Sequence, residues 1–159
     1  MKLWAEGEEG SIGAAIKIKV SEIKADVNRQ VRSRGVRAVN ALRNAELKIM
    51  KGQRSGRKYR KPYTGSKTRE ERKKSGYKAS APGEAPARRT GTLRLHWNGD
   101  VETRDTSSGT EVIAVLESGE KYAAMLENGT SNMAPRPFME KIKEEAAPEI
   151  RKIYSEPYT

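Results

Sequence analysis

Side chains that commonly carry acid–base or metal chemistry are sparse in this 159-residue sequence. His96 is the only histidine and there is no cysteine, which excludes thiolate chemistry, disulfides and a histidine-based metal cluster. Glu140, Glu144 and Glu145 stand at helical spacing, where carboxylates more often form a solvated helix face than an acid–base pair. We interpret His96 as a strand residue that faces solvent or is half-buried. The sequence therefore predicts no catalytic residue, no metal ligand, no cofactor and no enzyme activity.

Positive charge is concentrated between Lys51 and Lys78. Twelve Lys or Arg and two Asp or Glu give this segment a net charge of +10, against +11 for the whole chain, and three tyrosines lie among them. Cations neutralise phosphates and tyrosines stack on bases, but without a recognition helix or zinc module no sequence-specific readout is expected. The candidate DNA contacts are Arg54, Arg57, Lys58, Arg60, Lys61, Lys67, Arg69, Arg72, Lys73 and Lys74. The alternative is a solvated loop, or one that docks on an acidic neighbouring subunit.

Two amphipathic helices are predicted at the ends of the chain. Apolar residues recur at helical spacing over 11–50, and a shorter period over 137–154 predicts a C-terminal helix. Gly35 costs the first helix about 1 kcal/mol relative to alanine, so we expect one long helix or two abutting ones. Residues 51–91 keep no apolar period and predict a long, mobile, basic loop.

Strands are predicted over 92–127. The run TLRLHW alternates apolar and polar residues, and Asn98-Gly99 after it is a strong hairpin signal. A second turn at 107–109 leads into TEVIAVLES, which is apolar on both faces and predicts a central strand. The expected fold is α+β, a single domain over 1–159 whose two helices pack on a small antiparallel sheet of about three strands.

Two ordered segments carry motifs that occur together in one family. SAPGEAPARRTGTLRLHW, from Ser80 to Trp97, has a Pro-Gly-rich entry and a Thr-Gly-x-Leu strand start. YAAMLENGTSNMAPRPFMEKI, from Tyr122 to Ile142, has a Tyr-Ala, Glu, Gly-Thr and Arg-Pro-Phe series, with Asn128 where an apolar residue is expected. Together with the preceding helix and basic loop, the segments resemble tail-completion and head-tail joining proteins of tailed phages with long non-contractile tails.

The residues of the second segment also have physical roles of their own. We expect Gly129 to take a positive φ, Pro137 to open the C-terminal helix, and Phe138 to anchor that helix to the sheet. Glu127 and Arg136 carry opposite charges and could pair within or between subunits. The motif residues with an expected fold or assembly role are Tyr122, Glu127, Gly129, Thr130, Arg136, Pro137 and Phe138.

The resemblance implies a role in assembly. It implies a ring-forming subunit, expected to be a hexamer, between tail-tube and head-connector proteins, with genomic DNA in the lumen. Such a protein belongs to the neck of the virion and is made in the host cytoplasm; the sequence shows neither a signal peptide nor the run of about 18 apolar residues that a membrane span needs. The alternative function is non-sequence-specific nucleic-acid binding through 51–78.

Overall fold

The computed structural model describes residues 12–59, 76–88, 90–106 and 109–158. It shows an α+β fold with a long N-terminal helix and a C-terminal helix, as the sequence predicted. The elements in chain order are α1 (Ile12–Lys51), β1 (Lys58–Tyr59), β2 (Tyr77–Lys78), α2 (Thr92–Leu95), β3 (Trp97–Thr106), β4 (Gly109–Ser118), α3 (Ala123–Asn128) and α4 (Met139–Ser155). None of the helices in these ranges is both long and apolar enough to cross a membrane.

Helix α1 is continuous over 40 residues and is not broken at Gly35. Gly35 is instead required for packing, because the hairpin of β3 and β4 crosses the helix at this residue. A Cβ at Gly35 would lie 2.7 Å from a methyl carbon of both Val101 and Val112. Separations this short would force the two valine side chains or the backbone to move, so the missing side chain at Gly35 lets helix and sheet approach closely.

The predicted turn at Asn98-Gly99 is wrong. Strand β3 runs through both residues and pairs with β4 from Trp97–Ser118 to Thr106–Gly109, so the chain reverses where the second turn was predicted. Gly99 is needed for packing, since a Cβ there would overlap Cγ1 of Val39 on α1. The same residue type serves a turn and a close approach, and only the position of α1 decides between them.

Two other predicted strand segments are helical. Thr92–Leu95 forms one helical turn that begins after Gly91, whose φ is 97°. This turn buries Leu93 but leaves Leu95 66% exposed, whereas the alternation predicted both on one face. Ala123–Asn128 is also a helix. In the described part of the chain β4 therefore pairs only with β3 and is not a central strand.

The core lies between the C-terminal half of α1, helix α4 and the start of β3. Helix α4 runs antiparallel to α1, with ion pairs joining Lys48 to Glu145 and Arg37 to Glu156. Phe138 is 1% exposed and meets the Trp97 ring edge-on, with ring centroids 6.0 Å apart. Burying a side chain of this size contributes about 1.5–3 kcal/mol. The predicted anchoring of the C-terminal helix by Phe138 is confirmed.

A carboxylate is enclosed in this core. Glu46 has no exposed surface, and its Oε2 accepts a hydrogen bond from Arg43 Nη1 at 2.5 Å. Its Oε1 has no hydrogen-bond partner among the described residues. Burial raises the pKa of Glu46 to about 7, while the charges of Arg43 and Arg94 act in the opposite direction. The ionised form is therefore the disfavoured one in the folded chain.

Replacing Glu46 by glutamine is expected to stabilise the protein at pH 8 and to change little at pH 4. The Glu46 carboxyl keeps its proton up to about pH 7 in the folded chain but loses it near pH 4.5 in the unfolded chain. Wild-type stability therefore falls as the pH rises through this window, by about 3 kcal/mol, and the loss persists above it. Urea unfolding at pH 4, 6 and 8 measures the difference. The control Glu144→Gln removes an exposed carboxylate, and a difference between wild type and Glu46→Gln that does not vary with pH would contradict the prediction.

Candidate functional site

The two ends of the basic segment are joined by a short hairpin. Lys58 pairs with Lys78 and Tyr59 with Tyr77, and the two tyrosine rings stack with centroids 5.7 Å apart. The Ala79 amide donates to the Arg57 carbonyl and the Ala79 carbonyl accepts from the Gly56 amide, which continues the pairing toward the body of the protein. The sequence predicted a loop throughout 51–91, and the described parts of that range are instead held by this hairpin and by the contacts below.

The hairpin presents cations and aromatic rings to solvent. Arg57, Lys58 and Lys78 are exposed, and the Arg57 guanidinium lies 5.5 Å from the centroid of the Tyr59 ring. Such a surface can pair with phosphates and offer a ring for stacking. Seven of the candidate DNA contacts lie outside the described residues: Arg60, Lys61, Lys67, Arg69, Arg72, Lys73 and Lys74.

Arg54, one of the predicted DNA contacts, is half-buried and is held by backbone carbonyls of its own chain. Its guanidinium donates to the backbone carbonyl of Ile49 at 2.8 Å and to that of Pro86 at 3.1 and 3.2 Å. Burial lowers the pKa of this half-buried group. Arg54 thus satisfies a carbonyl in the last turn of α1 and ties the helix end to the 80–88 segment.

Glu84 also holds the start of the basic segment, by joining Ser55 to the 80–88 segment. It accepts hydrogen bonds from the Ser55 hydroxyl, from the Ser55 amide at 3.1 Å and from the Ala81 amide at 2.9 Å. These bonds, led by the one from the Ser55 hydroxyl, lower the pKa of Glu84 to about 2. Sequence reasoning missed this residue, and its only signal was a single carboxylate inside a Pro-Gly-rich run.

Glu127 is placed by α3 at the N-terminus of α4. Its Oε2 accepts hydrogen bonds from the amides of Phe138 at 2.8 Å and Met139 at 3.2 Å, two of the donors that the first turn of a helix leaves free. The hypothesis of a Glu127–Arg136 pair is wrong within the chain. Arg136 instead donates to the Ser80 hydroxyl at 2.5 Å and to the Ala81 carbonyl at 3.2 Å.

The turn between α3 and α4 is built around Gly129 and Thr130. Gly129 has a φ of 78°, as predicted, and a Cβ there would lie 2.7 Å from the Met133 carbonyl oxygen. Thr130 and Met133 exchange backbone hydrogen bonds of 2.8 and 3.1 Å, which close the turn. Helix α4 begins at Met139 with Phe138 as its N-cap, so Pro137 precedes the helix and does not occupy its first turn, contrary to the prediction.

The two segments that carry the family resemblance contact each other. Besides the bonds from Arg136, the Gly83 amide donates to the Pro135 carbonyl at 3.1 Å, and Lys141 Nζ donates to the Gly83 carbonyl at 2.6 Å. Tyr122, the N-cap of α3, stays 39% exposed at the edge of this contact. The motif residues therefore form one structural unit, and most of their polar groups are used to build it.

His96 gives no sign of a catalytic arrangement. His96 directly follows helix α2 and does not lie in a strand, contrary to the prediction. Its side chain is exposed, and its Nδ1 contacts the Glu120 carboxylate. No group of three His, Cys, Asp or Glu side chains in the described ranges could hold a metal ion. The absence of enzyme activity stays a prediction from the sequence.

Comparison with known proteins does not assign a family. The chain has no match among protein-family models and no significant match among curated proteins or solved structures.

Substituting Glu127 by alanine is expected to cost about 1–2 kcal/mol of stability, because two amides at the start of α4 lose their acceptor. Glu127→Gln keeps a side-chain oxygen of similar reach and should recover more than half of the loss. Urea unfolding of both variants measures the effect. Equal losses in the two variants would show that the carboxylate charge, and not helix capping, is the important property.

Proposed function

We propose that the chain is a structural subunit of the head-tail interface of a tailed phage, a tail-completion or head-tail joining protein. It works by binding alone, as an oligomeric ring around the DNA path, expected to be a hexamer, with tail-tube proteins on one side and head-connector proteins on the other. Its place is then the neck of the virion. The assignment to this class rests on the ordered motifs of 80–97 and 122–142, two segments that pack against each other.

The observation that carries an assembly role is the unburied apolar stripe at the N-terminal end of α1. Val20, Ile23 and Val27 are 47%, 55% and 36% exposed, and they recur at the spacing of one helix face. Amphipathic helices bury such a face against another element, and a contiguous exposed stripe marks an interaction site. A neighbouring subunit supplies the missing partner in the proposed ring.

Charge separation within the chain also supports contacts between unlike surfaces of successive subunits. The face of the β3–β4 hairpin directed away from α1 carries Asp100, Glu102, Glu111 and Glu117, all exposed, with Arg104 as its one cation among the described residues. The β1–β2 hairpin is cationic. Complementary patches on different surfaces favour a head-to-tail contact, which closes into a ring when the rotation between subunits is right.

The assembly role is tested by placing a charge in the stripe. Ile23→Asp should weaken self-association at least tenfold and abolish recruitment of the protein to purified tail tubes and connectors, because a buried unpaired carboxylate is costly. Asn28→Asp adds the same charge on another face of α1 and should assemble like wild type. Sedimentation velocity and co-sedimentation provide the readouts. Failure of wild-type protein to bind either tail tubes or connectors would overturn the proposed function.

A second candidate function, non-sequence-specific nucleic-acid binding by the single chain, is favoured by the stacked tyrosines and exposed cations of the β1–β2 hairpin. It predicts an affinity that falls steeply with salt and is independent of sequence.

Replacing Arg57, Lys58, Arg60 and Lys61 by glutamine should reduce DNA affinity at least tenfold and flatten its salt dependence. The matched control replaces four exposed cations elsewhere, Lys121, Lys143, Arg151 and Lys152, and should leave most of the affinity intact. Fluorescence anisotropy with labelled DNA at several salt concentrations measures both. Equal losses of DNA affinity in the two variants would show that affinity depends on net charge alone, and the hairpin would then not be a specific DNA contact.

A further inference from the structure

A cleft of about 750 Å³ opens near the C-terminal end of α1, between the 79–94 segment and α3. Its apolar lining comes from Met50, Leu93, Leu126 and Met133, and three arginines also line it: Arg88, Arg94 and Arg136. The cleft does not overlap the exposed stripe of α1, whose residues lie near the other end of that helix. The proposed function gives this cleft no role.

The charges of the cleft favour an anionic occupant with apolar side chains. Arg136 already donates to the backbone, but Arg88 is exposed, and the buried Nε of Arg94 has no hydrogen-bond partner among the described residues. The buried carboxylate of Glu46 forms its ion pair with Arg43, although its charge also interacts with that of Arg94. A nucleic-acid backbone would fit the arginines but would leave the apolar lining uncovered, whereas a peptide with both kinds of side chain would cover it.

One segment of the chain itself has this chemistry. Residues 3–10, LWAEGEEG, begin with Leu3 and Trp4, continue with three glutamates, and contain no Lys or Arg. An aromatic anchor with carboxylates beside it is complementary to an apolar cleft flanked by arginines.

Distance prevents this segment from entering the cleft of its own chain. Ile12 and Met50 are 38 positions apart in one continuous helix, which separates them by about 57 Å at 1.5 Å per residue. From Ile12 back to Trp4 the fully extended chain spans at most about 28 Å. The segment can therefore reach such a cleft only on another copy.

We propose that residues 3–9 of one copy occupy the arginine-lined cleft of the neighbouring copy, with Leu3 and Trp4 on the apolar lining and the glutamates facing Arg88 and Arg94. The contact is heterologous, because arm and cleft are different surfaces, and it sets the head-to-tail order of subunits. This inference rests on the proposed function in one respect: the head-to-tail contacts are taken to close into a ring of subunits and not to extend into an open chain.

Introduced cysteines test the contact directly, since the chain has none of its own. Leu3→Cys combined with Ala87→Cys, at the cleft, should form intermolecular disulfides on mild oxidation and give a ladder of covalent multimers in denaturing gels. Leu3→Cys combined with Thr103→Cys, on the β3–β4 hairpin, is the matched control and should remain mostly uncrosslinked. Equal crosslinking of both pairs, or none in the cleft pair, would overturn the proposal.

An equilibrium measurement makes the result independent of crosslinking. Leu3→Ala with Trp4→Ala should raise the subunit dissociation constant at least tenfold, and Arg88→Glu should raise it in a way that Glu8→Lys partly restores. If these variants assemble like wild type but wild type is recruited to tail tubes and connectors, the arm contact fails and the proposed function stands. If the arm variants weaken assembly but wild type binds neither partner, the arm contact stands and the phage assignment fails.

Discussion

The close contact between α1 and the β3–β4 hairpin is the constraint on which the rest of the fold depends. Gly35 on the helix and Gly99 on the strand remove the side chains that would hold the two backbones apart. With the hairpin against one side of α1, helix α4 packs along another, and Phe138 and Trp97 meet at the end of both contacts. A two-stranded sheet is marginal alone, so its stability comes from this helix.

The irregular parts of the chain lie outside the small apolar core. Hydrogen bonds from arginines and to carboxylates hold them in place. Arg54 and Arg136 donate to backbone carbonyls of the 80–88 segment, and Glu127 accepts from the amides that begin α4. Near the C-terminus, Arg34 is 4% exposed, donates to the Pro157 carbonyl at 2.8 Å and lies over the Tyr158 ring. Such bonds specify where loops attach, since an unpaired buried carbonyl is costly.

The two segments behind the family resemblance form one structural unit and also line the arginine-lined cleft, to which they contribute Arg88, Arg94 and Arg136. Most polar groups of the motif are used inside the chain, so they define the shape of this unit. Two of the surfaces that the proposals use are separated along α1: an apolar stripe toward its N-terminal end, and the arginine-lined cleft near its C-terminal end. The proposed head-to-tail assembly requires two unlike surfaces, and this separation along one helix is compatible with it.

The sequence by itself determined the two long helices and the α+β class. The helices predicted over 11–50 and 137–154 appear as Ile12–Lys51 and Met139–Ser155, because an apolar period sustained over several turns has few alternative structures. Tertiary structure alone decided the short elements. TLRLHW fits either a strand or a helical turn, and Asn98-Gly99 fits either a turn or a close approach. The surrounding packing selects between them, as it selects which arginines face solvent and which, like Arg54, meet a carbonyl.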